Sequence, residues 1–278
     1  MEVALKLTMR LSELKVGQRG KISGFETSDL ELKLMEMGCI PGEIVIVEQI
    51  APLGDPISIR VAGYSLSLRK NEANQILLDE SWSFMNIGLY FGSFNPVHTG
   101  HLIIANHVLN ETELQKIWFI ISPQNPFKHS ATLLNEYDRL YLVQKAIEGD
   151  DRLRASDIEF ALPKPSYTSH TLSYLADKYP SYRFTIIMGS DSFQNLSKWH
   201  NASFIIANYP ILVYRRPLFP AENTIGAQVS FLDAPLLQIS ATHIREAVQQ
   251  KKSIKYLVPD GVESEIHKSG FYKKIYKK

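Results

Sequence analysis

The sequence predicts two domains, a small β-barrel over residues 1–80 and an α/β domain over residues 85–278. Two observations support this division. Short β-like runs separated by turn residues fill the first 80 positions, whereas apolar strands alternate with helical patterns in the rest of the chain. Such alternation is typical of a parallel sheet that is covered by helices on both faces. We therefore expect a β domain followed by an α/β domain.

The first domain has clear turn signals. Pro41-Gly42, Ala62-Gly63 and the run Leu53–Pro56 are strong turn sequences. A helix is expected over Leu30–Met37, because the following Gly38 suits the left-handed conformation that closes a helix. The expected strands between these signals are Arg19–Phe25, Glu43–Ile50, Pro56–Val61 and Tyr64–Arg69.

The second domain follows a short join and begins with an apolar strand, Asn86–Phe91. In parallel sheets, ligands bind at the carboxyl ends of the strands, where the strand order reverses. The polar segment Gly92–His101 directly follows the first strand and is therefore placed where a ligand would bind. The other expected strands are Lys116–Ser122, Phe184–Met188, Ile211–Arg215 and Val229–Leu232, and helical patterns lie near His101–Glu111, Asn135–Glu148, Thr168–Lys178, Ala202–Ala207, Ala241–Gln250 and Val262–His267.

Composition narrows the class of protein. The 278 residues are 45% hydrophobic and carry a net charge of +1, without the strong basic clustering of a nucleic-acid-binding protein. The single cysteine, Cys39, excludes an internal disulfide and fits a reducing compartment. No signal peptide opens the sequence, and no apolar run reaches the roughly 18–20 residues of a membrane helix. We expect a cytoplasmic protein with no membrane span and no nucleic-acid partner.

Two polar clusters carry the functional prediction. The first, Gly-Ser-Phe-Asn-Pro-Val-His-Thr-Gly-His at residues 92–101, places two imidazoles where a strand feeds a helix. The second, Ile-Ser-Ala-Thr-His-Ile-Arg at residues 239–245, places two hydroxyls and a guanidinium at the start of another helix. Helix starts present free N–H groups and a positive dipole end, which suit phosphate. Two such starts predict an enzyme that holds a nucleoside triphosphate at both ends.

The residue types in these clusters suit nucleotidyl transfer. That reaction needs the incoming phosphate and the α-phosphate in line, with the developing negative charge stabilised. Imidazoles donate hydrogen bonds to triphosphate oxygens, and a protonated imidazole stabilises charge as pyrophosphate leaves. Arg245, one turn into its helix beside two hydroxyls, suits a bidentate phosphate contact. The catalytic candidates are therefore His98, His101 and Arg245.

Other phosphate and metal motifs are missing from the sequence. Neither a Gly-x-Gly-x-x-Gly after the first strand of the second domain nor a Gly-x-x-x-x-Gly-Lys-Ser/Thr loop is present, which disfavours a hydride-transferring dinucleotide enzyme and a P-loop enzyme. The spacing of His98 and His101 also suits a metal, but no third ligand follows with recognisable spacing. We expect Mg²⁺ as a cofactor that ATP phosphates and water hold, without a protein metal site.

Three segments of the first domain, Met9–Leu14, Leu34–Gly42 and Ala51–Ile57, match a known family. Through them, residues 9–78 resemble ferrous iron transport protein A, the FeoA-type domain with an SH3-like fold. Members of that family are accessory modules of ferrous iron uptake, so the resemblance implies a protein partner for this domain. Cys39 could be taken for an iron ligand, yet a lone cysteine without a nearby histidine is more often a small buried apolar residue.

The two phosphate clusters together resemble the signature pair of the nucleotidyltransferase superfamily, and most of all the bacterial nicotinate-nucleotide adenylyltransferases, which have a Rossmann-like fold. Further matching segments are Ser166–Thr168, Met188–Asp191 and Tyr256–Pro259. The resemblance implies transfer of AMP from ATP to nicotinate mononucleotide, giving deamido-NAD and pyrophosphate. It implies ATP contacts for Gly92, Ser93, Phe94, His98, His101, Gly189, Asp191, Ser240, Thr242 and Arg245, and mononucleotide contacts for Asn95, Lys128, Thr168 and Trp199.

The resemblance also implies roles for individual residues. Asp191 would meet the ribose of ATP, Thr168 and Trp199 would line the pyridine pocket, and Lys128 would approach the phosphate of the mononucleotide. Each has a structural alternative. Asp191 and Thr168 could cap helices, Trp199 could belong to the core, and Lys128 could be a surface lysine. Asn95 stands where much of the superfamily has aspartate, a change that lessens repulsion of the phosphates.

Three alternatives stay open at this point. The same reaction could use the amide mononucleotide or phosphopantetheine as acceptor, because the choice of acceptor can depend on backbone N–H groups. The chain could instead be an iron-uptake-linked interaction protein whose second domain has lost catalysis. The sequence also leaves open whether the protein forms a homo-oligomer.

Overall fold

Two units divide the chain in the computed structural model, residues 1–84 and residues 85–278. The structure describes residues 9–79, 84–123, 133–223, 225–235 and 237–273. Each unit has its own sheet and its own buried apolar core. No helix within these ranges combines the length and the apolar character needed to cross a membrane.

The first unit is built on a five-stranded antiparallel sheet in the order β4-β3-β2-β1-β5. The four expected strands and the expected helix are present. β5 and α2 were not expected, because a strand of three residues and a helix of four give almost no periodic signal. The bounds are β1 Arg19–Phe25, α1 Ser28–Glu36, β2 Ile44–Ile50, β3 Ile57–Val61, β4 Tyr64–Leu68, α2 Lys70–Ala73 and β5 Ile76–Leu78, with a 3₁₀ turn at Leu11–Glu13.

Gly38 closes α1 in the expected way. It adopts φ = +86°, a left-handed conformation that suits glycine. A side chain at this position would overlap the hydroxyl of Tyr64, which donates a hydrogen bond of 2.8 Å to the main-chain oxygen of Met37. The glycine thus allows β4 to lie against the end of the helix.

Cys39 lies in the core of the first unit. Its side chain is completely buried and its thiol is free. Burial raises the pKa of the thiol to about 11, so it is uncharged at neutral pH. Because metals bind the thiolate, this environment agrees with Cys39 as a small apolar core residue.

The second unit contains a six-stranded parallel sheet in the order β11-β10-β9-β6-β7-β8. This confirms the predicted parallel α/β class. The strands are β6 Met85–Gly92, β7 Lys116–Ile121, β8 Leu153–Ser156, β9 Tyr182–Gly189, β10 Ile211–Tyr214 and β11 Val229–Leu232. The helices are α3 Thr99–Glu111, α4 Glu136–Ala146, α5 Thr168–Lys178, α6 Ser190–Phe193, α7 Ala202–Asn208, α8 Ala241–Gln249 and α9 Asp260–Ser269, and 3₁₀ turns lie at Ile158–Ala161 and Leu196–Lys198.

Helices cover both faces of this sheet. Successive side chains of a strand point to opposite faces. On β6, Tyr90 therefore belongs to the core layer that contains residues of α3, α4, α8 and α9, and Leu89 belongs to the layer that contains residues of α5, α6 and α7. Counted within this unit, the strands follow the doubly wound order 3-2-1-4-5-6. The order reverses between β6 and β9, and the carboxyl ends of these strands are the expected position of a ligand.

Gly88 gives a direct test of the packing around β6, the strand at the centre of this sheet. A Cβ atom on Gly88 would lie 2.6 Å from Cδ1 of Ile187 and 3.0 Å from Cδ1 of Leu114. Gly88→Ala should therefore lower the free energy of unfolding of the second unit by about 1–3 kcal/mol, the usual cost of overpacking. Urea unfolding followed by the fluorescence of the buried Trp118 measures this change.

The matched control is Gly261→Ala in α9. A Cβ atom there would lie 3.5 Å from its nearest neighbour, the main-chain oxygen of Lys145, which is an ordinary contact. We expect this variant to be as stable as the original chain or slightly more stable, because alanine favours a helix. Equal losses of stability in the two variants would contradict the packing argument.

Candidate active site

The two polar clusters meet at the carboxyl ends of β6 and β9. Nη1 of Arg245 donates a hydrogen bond of 2.7 Å to the main-chain oxygen of Asn95, 150 positions earlier in the chain. A Cβ atom on Gly100 would lie 3.9 Å from Cβ of Ile239. The start of α3 and the start of α8 are thus neighbours, although a helix-rich stretch of the chain separates them.

The two histidines form one stacked pair. The ring centroids of His98 and His101 are 3.6 Å apart, and the rings are inclined by 24°. The backbone N–H of His98 donates to Nδ1 of His101 (3.2 Å), which places the ring proton of His101 on Nε2, the tautomer that can donate to a ligand. A Cβ atom on Gly100 would lie 3.1 Å from Nδ1 of His98, so glycine is what leaves space for the pair.

His98 is uncharged in this environment. Its side chain is 7% exposed, and its buried Nδ1 has no hydrogen-bond partner among the residues that the structure describes. Burial, and then the nearby charge of Arg216, lower its pKa to about 4. The predicted protonation of an imidazole as pyrophosphate leaves stays a prediction. A neutral imidazole can still donate one hydrogen bond to a phosphate oxygen.

Phe94 is a buried residue that packs against the ring of His101. It adopts φ = +44°, is 3% exposed, and packs edge-on against the rings of His101, Tyr90 and Phe119 at centroid distances of 5.1–5.7 Å. A Cβ atom on Gly92 would lie 2.8 Å from the ring of Phe94. The side chain of Phe94 thus belongs to the core, and its predicted contact with ATP stays a prediction.

Arg245 and the hydroxyls share one helix start. Nη2 of Arg245 donates to Oγ1 of Thr242 (3.1 Å), and Oγ of Ser240 accepts from the N–H of His243 (3.1 Å) and so caps α8. At the start of α3, the N–H of Thr99 donates to the main-chain oxygen of Leu257 (2.9 Å). Each helix start therefore offers fewer free N–H groups than the sequence suggested, and side chains make up a larger part of the site.

The end of β9 holds a chain of polar contacts. Nε of Arg216 lies 3.4 Å from Oδ1 of Asp191, and Nη2 of Arg216 donates to the hydroxyl of Tyr214 (3.2 Å). A Cβ atom on Gly189 would lie 2.4 Å from the Asp191 carboxylate, so no larger residue fits there. The helix-cap alternative for Asp191 is wrong, because Gly189 occupies the N-cap position of α6. The carboxylate faces a cation instead.

Of the four residues predicted to contact the mononucleotide, the structure describes Asn95, Thr168 and Trp199. Thr168 is the first residue of α5 and Tyr167 occupies its N-cap position, so the helix-cap alternative for Thr168 is wrong. Trp199 is half-buried and packs against the core on the α5 side of the sheet. The two segments meet, since Oγ of Ser169 and Nδ1 of His200 are 3.3 Å apart. Lys128 lies outside the described residues.

Asn95 has a structural environment that the sequence did not indicate. Its side chain is 4% exposed, and Oδ1 accepts hydrogen bonds from the hydroxyl of Tyr272 (2.8 Å) and the N–H of Leu134 (3.3 Å). Its predicted contact with the mononucleotide stays a prediction. The same residue also receives Arg245 on its main-chain oxygen, so it joins three segments of the chain.

The sequence analysis did not predict a role for Arg139, a buried arginine that contacts the loop after β6. Arg139 is completely buried, and its guanidinium donates to the main-chain oxygens of Ser93 (2.7 Å), Ser122 (2.8 Å), Pro123 (3.1 Å) and Leu134 (3.0 Å). It thus holds the loop after β6 to the end of β7. A signal was available, because Arg139 lies three and four positions before two buried apolar residues of α4, Leu142 and Val143.

A buried carboxyl group was also missed. Glu159 is 1% exposed, and Oε1 accepts a hydrogen bond from Oγ1 of Thr171 (2.8 Å). Burial raises the pKa of this carboxyl. The contact joins the 3₁₀ turn Ile158–Ala161 to α5, the helix that begins at Thr168.

The described residues contain no group of three or more His, Cys, Asp or Glu side chains that could hold a metal ion. The polar groups of the site are mainly imidazoles, hydroxyls and guanidinium groups. Such a set can donate hydrogen bonds to an anion and is poorly suited to a hard divalent cation.

Comparison with known proteins gives a consistent result for both units. Residues 9–80 match the FeoA domain family, and residues 89–247 match the cytidylyltransferase-like family. The chain is 48% identical over 191 residues to a probable nicotinate-nucleotide adenylyltransferase of Cytophaga hutchinsonii, a match that covers 68% of this chain and 98% of the relative. It is 47% identical over 196 residues to the Flavobacterium psychrophilum protein of the same description, covering 68% of this chain and 100% of that relative.

A solved structure supports the fold of the second unit. The nicotinic acid mononucleotide adenylyltransferase of Plasmodium falciparum, complexed with NaAD, superposes with a TM-score of 0.60 and 19% identity. The superposition covers 69% of this chain and 99% of the Plasmodium chain. At this level of identity, the likeness concerns the fold alone.

The environment of His98 predicts how stability depends on pH. An unfolded histidine has a pKa of about 6.5, whereas burial lowers that of His98 to about 4. As pH falls through this window, the unfolded chain takes up a proton that folded His98 excludes, so the folded state loses stability. We expect the original chain to lose about 2–4 kcal/mol more than His98→Gln between pH 7 and pH 4.

Urea unfolding of both proteins at pH 7, 5.5 and 4 measures this difference. His267→Gln, on the exposed side of α9, controls for the simple loss of one histidine. Parallel pH profiles for the original chain and His98→Gln would show that His98 is not kept neutral by its surroundings.

Proposed function

The chain belongs to the nicotinate-nucleotide adenylyltransferase family, and on this basis we propose that it transfers AMP from ATP to nicotinate mononucleotide. The products are deamido-NAD and pyrophosphate. The observation that carries the proposal is the hydrogen bond from Arg245 to the main chain of Asn95, because it brings the guanidinium to the loop that bears His98 and His101. One polyphosphate can then contact both clusters.

The reaction is a direct in-line displacement. A phosphate oxygen of the mononucleotide attacks the α-phosphorus of ATP, a new P–O bond forms, and the bond to the leaving pyrophosphate breaks. No residue of the chain serves as a nucleophile. The protein contributes by aligning the two phosphates and by stabilising the negative charge on the leaving group.

The histidines and Arg245 supply this stabilisation in different ways. Arg245 is a permanent cation, and its two described hydrogen bonds go to a main-chain oxygen and a hydroxyl, which leaves its charge uncompensated by a carboxylate there. His98 is neutral in the free enzyme and donates an N–H without the cost of a buried charge. Bound phosphates raise the pKa of a neighbouring imidazole, so ATP itself favours protonation of His98 during the reaction.

Magnesium is proposed to enter this site bound to ATP, without protein ligands. The donor groups of the described residues favour anions, and Asp191, a predicted ATP contact, is paired with Arg216. We therefore assign Mg²⁺ to the phosphate oxygens and water, where it would neutralise part of the triphosphate charge. The residues of the protein need only bind the remaining phosphate oxygens.

Acceptor recognition is assigned to the start of α5 and to the segment around Trp199. Thr168 lies in the first turn of α5, whose N–H groups suit the carboxylate of a nicotinate ring. Trp199 offers a large flat apolar face to the same ring. Lys128 stays a predicted contact for the phosphate of the mononucleotide.

The first unit is proposed as a separate module. Its match to the FeoA domain family suggests a protein partner, as the sequence predicts. We keep the cytoplasm as the proposed location, because the reaction consumes ATP and the one cysteine of the chain is a free thiol.

Pyrophosphate release from ATP tests the proposed reaction. Nicotinate mononucleotide should give the fastest release, followed by the amide mononucleotide, with phosphopantetheine inactive. His98→Ala and Arg245→Ala should each lower kcat/KM about 100- to 1,000-fold, the usual effect of removing a group that stabilises transition-state charge. Arg152→Ala is the control, since Arg152 pairs with Asp150 at the amino end of β8.

The outcomes separate the alternatives. Faster release with the amide or with phosphopantetheine would reassign the acceptor. No release with any acceptor would favour the interaction-protein alternative. Activity of His98→Ala or Arg245→Ala that equals the activity of Arg152→Ala would remove that residue from the catalytic site.

Residues 85–278 alone should retain the activity. Both core layers of the second unit are formed by residues from position 85 onward, and the bacterial relatives align over 98–100% of their own length with about two thirds of this chain. We expect kcat and KM within about twofold of the full chain, because ordinary surface changes have small effects. Steady-state kinetics of both forms measure this, and a large change in either constant would show that the first unit regulates the enzyme.

A further inference from the structure

Tyr272 is a buried tyrosine near the end of the chain that the proposed reaction does not use. Its side chain is 7% exposed, and its hydroxyl donates a hydrogen bond of 2.8 Å to Oδ1 of Asn95, across 177 positions. Its ring belongs to the same core layer as Phe94, Val97 and Ile244. The end of the chain therefore reaches the loop that carries the histidines.

The backbone at this point is held in an unusual conformation. Tyr272 adopts φ = +64°, which is rare for a residue other than glycine. It follows α9, where Gly270 closes the helix with φ = +68° and the N–H of Phe271 donates to the main-chain oxygen of Ile266 (3.1 Å). Strained residues of this kind persist where the surrounding structure over-determines them, which is common at functional sites.

Asn95 links Tyr272 to Arg245 of the proposed phosphate site. Its side-chain oxygen receives Tyr272, and its main-chain oxygen receives Nη1 of Arg245 at 2.7 Å. Because both contacts fall on one buried residue, a change in the position of Asn95 moves the anchor of the guanidinium. The side chain of Arg139 holds the same loop from a different direction, through the main-chain oxygen of Ser93.

We propose that Tyr272 is a positioning residue for ATP: its hydroxyl fixes Asn95, and the main chain of Asn95 then orients Arg245 toward the triphosphate. The proposal rests on the proposed function in assigning Arg245 to ATP. It gives the segment that follows α9 a role in binding ATP. Removal of the hydroxyl should weaken ATP binding more than nicotinate mononucleotide binding, because Asn95 is only one of four predicted contacts with the mononucleotide.

Tyr272→Phe is the direct test, because phenylalanine keeps the ring in the core and removes only the hydroxyl. By calorimetry, the Kd for Mg-ATP should rise about three- to tenfold, the range expected for one buried neutral hydrogen bond. The Kd for nicotinate mononucleotide should rise less than the Kd for Mg-ATP, because Lys128, Thr168 and Trp199, its other predicted contacts, are unchanged. Tyr137→Phe, which removes a hydroxyl from a side chain that is 63% exposed, is the matched control.

Two double variants test the route through Asn95 and Arg245. In an Arg245→Ala background, Tyr272→Phe should have no further effect on the Kd for ATP, because the group that it orients is gone. In an Asn95→Asp background, which keeps an oxygen acceptor, Tyr272→Phe should again weaken ATP binding. Coupling of this kind is not expected from a tyrosine that only fills the core.

The proposal is overturned if Tyr272→Phe binds ATP as the original chain does. It is also overturned if both substrates weaken equally, or if the loss is the same in the Arg245→Ala background. Turnover of the original chain with nicotinate mononucleotide is measured separately. If that turnover is absent while the ATP affinities follow the expected pattern, the proposed function fails and the positioning role stands.

Discussion

The hydrogen bond between Arg245 and the main-chain oxygen of Asn95 joins the two halves of the proposed phosphate site. A buried main-chain oxygen must find a donor, and a charged donor gives a stronger bond than a neutral one. The bond therefore stabilises the loop after β6 and orients the guanidinium at the same time. The strand order reverses between β6 and β9, and the carboxyl ends of such strands are the usual position of a ligand.

The positive charge of the site depends on which groups accept hydrogen bonds from its arginines. Among the described residues, neither Arg139 nor Arg245 has a carboxylate within 4 Å, and both donate to main-chain oxygens. Their charge is therefore not cancelled locally. At His98, burial is the main cause of the lowered pKa, and the positive charge of Arg216 adds to it. These cations support the proposal of a polyanionic ligand, whose charge would raise the pKa of a neighbouring imidazole.

The sequence predicted those parts of the molecule whose signal is local. The motif after β6 and the cluster at α8 each consist of consecutive residues, so the sequence alone identified them. Long apolar strands such as β6 and β7 were predicted because their residues are also consecutive. β8 was missed because Leu153–Ser156 is short, contains a charged residue and lies at the edge of the sheet. Arg139, Glu159 and Tyr272 were missed because their partners are distant in the chain, and the main-chain oxygens that receive Arg139 carry no sequence signal at all.

Under the proposed function, different helices supply most of the contacts with the acceptor and with the triphosphate. The triphosphate is assigned to the loop after β6 and to α8, whereas the acceptor ring is assigned to the start of α5 and to Trp199, on the opposite face of the sheet from α8. Because different helices supply the two sets of contacts, a change at the start of α5 can alter the preferred acceptor without disturbing Arg245. A change in the loop after β6 would have wider effects. Asn95 of this loop contacts Arg245, Leu134 and Tyr272, so its replacement would disturb all three. Variation among enzymes of this kind should therefore fall on α5 and on the Trp199 segment, and the buried contacts beneath the phosphates should resist it.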